Sequence, residues 1–170
     1  MATSSYPIFG SQNPRTQVAL HAGLKMGQTM GMIVPPIYLL TLAVRKRPFS
    51  IRRLMNVTTT WVGIGSIGLG GLGWARMGSQ SEEAIFDRCE RLKYNQGQLR
   101  CDDYSIIGAS LGAIVTPAIL LRRAPLPTLV FGGASLGLGM GTLTHIIKSF
   151  TEGEDVRPEG MVRSPFPRPA

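Results

Sequence analysis

Four apolar segments, each near the length of a bilayer crossing, recur along this chain, with basic residues crowded into the short stretches between them. They run about 23–44, 57–75, 104–121 and 128–147. A helix needs ~20 apolar residues to cross a hydrocarbon core ~30 Å thick, and the third segment is on the short side of that. A soluble bundle with glycine-rich core helices is the alternative. Glycine costs ~1 kcal/mol per site in a water-exposed helix interior, which disfavours it in a chain holding 21 of them. In lipid the backbone has no better option than helix, so glycine is tolerated. The sequence therefore predicts an all-α integral membrane protein of four transmembrane helices. Residues 1–22 form an extramembrane segment, 23–150 the membrane domain and 151–170 a Pro-rich tail too poor in apolar residues for a core of its own.

Lys and Arg outnumber Asp and Glu by 18 to 10. Such a balance suits nucleic acid, an anionic membrane surface or neither, and position decides. Long stretches carry no acid, and the bases gather between apolar runs, which is a membrane distribution and not a nucleic-acid face. Arg45, Lys46, Arg47, Arg52 and Arg53 follow the first segment, and Arg122 and Arg123 follow the third. The middle loop, 77–103, is acidic on balance. The positive-inside rule puts the basic loops inside and both termini and the middle loop outside. The same seven bases are candidates for holding anionic lipid headgroups, cardiolipin if the membrane is mitochondrial, with a bare topology signal as the alternative.

Gly27–Leu40 (GQTMGMIVPPIYLL) aligns with Gly108–Leu121 (GASLGAIVTPAILL), and Ser66–Gly70 (SIGLG) with Ser135–Gly139 (SLGLG). A helical hairpin used twice is the expected unit, as internal repeats are common in membrane folds. Pro35, Pro36 and Pro117 are expected to kink or interrupt their helices. Trp61 and Trp74, near the two ends of the second segment, read as interfacial anchors.

The pentapeptide GASLG occurs at 108–112 and 133–137 and matches G-x-S-x-G, the serine nucleophile elbow. An elbow needs a strand, a strained turn and a helix, with His and an acid nearby. Neither copy follows a strand-like stretch, only His21 and His145 are present, and no acid lies within the apolar runs as bounded above. On helices the same letters become small-xxx-small. Gly23, Gly27 and Gly31 form one stripe, Gly108 and Gly112 a second, and Gly133, Gly137 and Gly141 a third. Lipid tails are as apolar as Leu, so helices associate there through close backbone approach over such stripes. Packing is the expected role.

Cys89 and Cys101 both fall in the middle loop. A disulfide between them would contribute ~3 kcal/mol for a ring of this size; two unpaired thiols are the alternative. Ser79–Glu82 (SQSE) reads as a capping box opening a short helix to about Lys93, and Asn95–Gly97 as a turn. Two Cys and two His in separate regions give no metal spacing, and no phosphate-loop lysine follows the glycines, so neither metal nor cofactor is expected. Lys25 is expected to snorkel to the headgroups.

Four short glycine-rich spans, stripes such as GASLGLGMG and no Arg-rich presequence resemble the mitochondrial inner-membrane translocase channel family. The repeated GxIVxP core, the acidic cysteine-bearing loop and the Pro-rich tail resemble, within it, the fungal-type (NUXM-like) accessory membrane subunits of respiratory complex I. That resemblance implies a non-catalytic subunit in the mitochondrial inner membrane, bound to membrane subunits of NADH:ubiquinone oxidoreductase, with termini and middle loop in the intermembrane space and basic loops in the matrix. A subunit of a protein-import translocase is the alternative. A translocation path would show polar or acidic residues inside the spans, where only Lys25 and hydroxyls are expected.

Overall fold

A computed structural model describes residues 13–151. Five helices and no strand make up this region: α1 (Pro14–Val44), α2 (Ile51–Met77), α3 (Glu82–Tyr94), α4 (Gln96–Leu120) and α5 (Leu126–Thr151). The tail from residue 152 and the first twelve residues lie outside the described residues.

Local chemistry explains where the helices begin. Asn13 caps α1, its side chain accepting from the Arg15 amide at 3.0 Å, and Pro14 occupies the first turn, where a missing N–H costs nothing. Ser81 caps α3 by accepting from the Ala84 amide at 3.4 Å. Glu82 and Glu83 sit in its first turn and Arg91 and Lys93 in its last, the order that the helix dipole favours. Ser79 is not the cap, contrary to the capping-box reading. α2 extends to Met77, and the Ser79 hydroxyl donates to the Arg76 carbonyl in its closing turn.

The stretch read as a loop to residue 103 is mostly helix. Asn95 alone separates α3 from α4, and its side chain accepts from the Gln98 amide at 3.2 Å. The expected turn at Asn95–Gly97 is therefore a helix start, and the third span is a helix of 25 residues instead of a short one. α1 also begins well before residue 23; its 31 residues make it about 46 Å long, more than a hydrocarbon core requires. Neither Pro35–Pro36 nor Pro117 interrupts its helix. Flanking turns and neighbouring helices keep such a helix intact where water cannot compete for the backbone.

Three helices are long and apolar enough to cross a membrane: Pro14–Val44, Gly97–Leu120 and Leu126–Thr151. α2 is not among them. Three threonines in a row, six glycines from Gly63 to Gly73 and the arginines Arg52, Arg53 and Arg76 dilute its apolar residues. Trp74 lies in the last turn of α2, under the Arg15 guanidinium at 3.7 Å, and its carbonyl accepts from Arg15 Nε and Nη2 at 3.1 and 2.9 Å. Trp61 sits well inside α2, not near its end.

α1 packs along α2 and α4 along α5, and both α1 and α2 also rest on α5. Glycines set these approaches. Cβ atoms built on Gly108 and Gly137 would each fall against the other residue's carbonyl oxygen, and those on Gly112 and Gly133 likewise. One on Gly141 would meet the Tyr104 carbonyl. On α1, Gly23 faces the Ser66 carbonyl, where a Cβ would stand 2.7 Å away, and Gly27 faces the Ser66 hydroxyl. Gly31 faces α5 instead: its Cβ would lie 2.7 Å from the Ser135 carbonyl oxygen and 3.0 Å from the Gly139 nitrogen. The aligned letters thus do not make equivalent contacts. Gly112 packs within its own hairpin, whereas Gly31, aligned with it, packs on the other one.

Candidate functional site

Two polar triplets share one helical spacing. His21, Lys25 and Gln28 stand at i, i+4 and i+7 on α1, and Gln98, Asp102 and Ser105 at i, i+4 and i+7 on α4. Residues so spaced share a helix face. The two faces meet rung by rung. His21 Nε2 lies 3.1 Å from Gln98 Oε1, Lys25 Nζ donates to Asp102 Oδ1 at 2.6 Å, and Gln28 Nε2 donates to the Ser105 hydroxyl at 2.8 Å. Each rung spans the same sequence separation, so α1 and α4 run parallel here. Their backbones are not in close contact, and the long Lys25 and Gln28 side chains bridge the gap.

The centre of the ladder is Asp102, only 4% exposed. Besides Lys25, its Oδ1 accepts from Gln28 Nε2 at 2.7 Å, and its Oδ2 lies 3.4 Å from His21 Nδ1. Ser105, fully buried, donates its hydroxyl to the Asp102 carbonyl at 2.8 Å. Gln28, also buried, accepts at Oε1 from the Cys101 thiol at 3.8 Å. A buried carboxylate is costly unless it is paired and hydrogen-bonded, and here both conditions hold. Ionisable groups in spanning helices characteristically face the bundle interior and pair with one another. The arrangement is a clasp: an ammonium and a carboxylate cancel, and amide and hydroxyl groups saturate what remains.

This corrects two expectations. Lys25 does not run out to headgroups, since Asp102 holds it. An acid does lie within an apolar helix, because Gly97–Leu120 includes Asp102. Proximity to Asp103 and the acids of α3 made Asp102 look like part of a solvated loop. The signal that could have found it was the matched four-then-three spacing on both segments.

The cysteines do not form a staple. Both are free: the Cys89 thiol donates to the Pro14 carbonyl at 3.1 Å, tying α3 to the start of α1, while Cys101 faces Gln28. Burial pushes the Cys89 thiol above its ordinary range, opposed in part by Lys93. A raised acid pKa means that this contribution to stability is full below the ordinary thiol value and fades as pH rises past it. Alkylation of native protein near neutral pH is expected to spare Cys89, with both thiols reacting after denaturation without reductant. Recovery of a linked Cys89–Cys101 peptide from that sample would contradict the free-thiol geometry.

Arg45, Lys46, Arg47, Arg52, Arg53, Arg122 and Arg123 are all exposed. They flank the α1–α2 and α4–α5 turns, which antiparallel packing brings to one end of the molecule, opposite α3. His145 stands apart from the clasp, its ring tilted against Tyr104 at 5.6 Å. Among the described residues no three His, Cys, Asp or Glu side chains converge on a metal-sized position.

A family model described as a protein of unknown function (DUF1757) matches residues 10–148. No curated protein and no solved structure matches the chain.

Proposed function

Because the chain belongs to the DUF1757 family, whose description assigns no role, function has to come from its own residues, and we propose a non-catalytic accessory subunit of a large respiratory membrane complex. The specific reading is the membrane arm of mitochondrial NADH:ubiquinone oxidoreductase. Its four long helices cross the inner membrane as two related hairpins, α1–α2 and α4–α5, with α2 the fourth span. Termini and α3 face the intermembrane space, and the basic turns face the matrix and anionic lipid such as cardiolipin.

One observation carries this reading: the helices lock backbone to backbone inward while presenting bare apolar faces outward. Ile64, Ile67 and Leu72 of α2 are 58, 79 and 68% exposed, and Ile114 and Ile119 of α4 are 69 and 73% exposed. Such faces suit lipid and neighbouring membrane subunits. The clasp weighs against the import-translocase alternative, because Lys25 and Asp102 are spent on each other and do not line a polar path. The complex itself comes from the resemblance in the repeated GxIVxP core and the acidic, cysteine-bearing middle region.

Blue-native electrophoresis of mildly solubilised membranes carrying the tagged chain tests it. The chain is expected to co-migrate with NADH dehydrogenase activity, and its deletion to lower the amount of assembled complex. Co-migration with import machinery would transfer the assignment to the translocase, and turnover by the isolated protein would end the accessory reading.

A further inference from the structure

A pocket of about 920 Å³ opens at the α3 end of the molecule. It lies within the size range of ligand pockets, ~300–1,000 Å³. Its walls are the start of α1 at Asn13 and Pro14, the turn that closes α2, and one face of α3. That face is acidic. Glu83, Asp87 and Glu90 stand at i, i+4 and i+7 and so share it over a rise of about 10 Å, with Glu82 beside them. Asp87 and Glu90 pair with Arg91 and Lys93 along the helix, whereas neither Glu82 nor Glu83 has an ion-pair partner among the described residues. Arg15, in the opposite wall, is committed to the Trp74 carbonyl and ring. Phe86 lies among the acids and is 57% exposed. Gln80 Oε1, in the same lining, accepts no hydrogen bond among the described residues.

Carboxylates strung along a helix do not gather on one metal ion; they suit an extended ligand with several cations and an apolar group. The chain carries such a ligand itself. Residues 160–170 (GMVRSPFPRPA) hold Arg163, Phe166 and Arg168 and no acid. The two arginines, five residues apart, can span up to ~17 Å, more than the acidic row requires. α5 ends at Thr151 on the α3 side, where Lys148 donates to the Tyr104 hydroxyl at 3.3 Å. From Thr151 to Arg163 the chain reaches up to ~40 Å, against packed helices 8–10 Å apart. The pocket is walled by α1 and α2, both neighbours of α5, so it is within reach. Residues 1–12 join the pocket directly at Asn13, but they contain no Lys, Arg or His to meet the carboxylates.

We infer that this pocket holds the chain's own residues 160–170, with Arg163 and Arg168 on the α3 carboxylates and Phe166 against Phe86. The contact depends on neither the membrane placement nor the complex proposed above.

The full chain, with p-benzoylphenylalanine in place of Phe86, is irradiated in mild detergent and its adducts are mapped by peptide mass spectrometry. Equal amounts of isotopically heavy and light protein are mixed beforehand, so that a chain's own tail is told from that of another copy. Adducts are expected within 160–170 of the same copy. Arg163→Glu/Arg168→Glu should lower their yield about fivefold or more, the scale of two exposed ion pairs, and Arg163→Lys/Arg168→Lys should keep it. Glu82→Gln/Glu83→Gln should lower it from the other side. The arginine substitutions lie in the tail and leave the five helices untouched. Adducts on residues 1–12, on the tail of a second copy, or on detergent alone would each overturn the inference. So would tail adducts whose yield ignores the charge reversal.

Discussion

Gly137→Val is expected to take apart the α4–α5 pair. A Cβ at residue 137 would collide with the Gly108 carbonyl and stand 3.2 Å from the Ala109 Cα. These are backbone atoms, with no rotamer to retreat into. Overpacking a core ordinarily costs 1–3 kcal/mol, largely because side chains adjust. Here the helices themselves must separate, so a loss of about 3 kcal/mol or more is expected from a total stability of roughly 5–15 kcal/mol. The thermal midpoint of the purified full chain in mild detergent reads it. Gly68→Ala is the control. A Cβ there meets nothing within 4 Å, and the change should leave stability unchanged or raise it by up to about 1 kcal/mol, the helix-propensity gain of alanine over glycine. Should Gly137→Val melt with wild type, the seam is not what holds the hairpin. Tested in membranes, the same substitution should also reduce co-migration with the large complex.

Removing either charge of the Lys25–Asp102 pair should rank next. Asp102→Leu would leave the Lys25 ammonium without its partner, and Lys25→Met would leave a carboxylate that is 4% exposed facing only Gln28 and His21. Breaking a buried pair from one side costs about 3–5 kcal/mol, whereas replacing both members by apolar residues is often neutral. The double variant Lys25→Met/Asp102→Leu should therefore be more stable than either single one. It keeps the Gln28–Ser105 rung, so α1 and α4 stay in register. Unfolding midpoints of all four proteins in one detergent give the coupling energy. Additive losses, or single variants as stable as wild type, would mean that Lys25 reaches the headgroups after all and that the clasp does not hold the hairpins together.

Legibility followed the range of the interaction. The short helix α3 could be read because its signals lie within a few residues: Ser81, the acidic first turn and the basic last turn. Its exact cap is not legible locally because Ser79 belongs to the turn closing α2, and α2 is longer than its apolar stretch suggests. The start of α4 is hidden for the opposite reason. Asn95 and Gly97 are turn formers by composition, yet Asn95 is satisfied as a cap on both sides, its amide donating to Leu92 and its side chain accepting from Gln98. A Cys89–Cys101 staple rests only on proximity along the chain. α3 turns Cys89 toward Pro14, and α4 turns Cys101 toward Gln28.

Sequence by itself determined that the chain is helical and that several helices are apolar enough for a membrane, because length and composition over some twenty residues are local properties. It also marked out stripes of glycine, since their spacing is a matter of counting. Tertiary structure alone decided what each stripe faces, sending Gly31 to α5 while Gly23 and Gly27 face α2. It alone moved Asp102 from an acidic stretch into the buried clasp between α1 and α4. The physical reason is shared. Partners depend on how each helix is rotated and slid against its neighbours, and that is set by all the contacts at once.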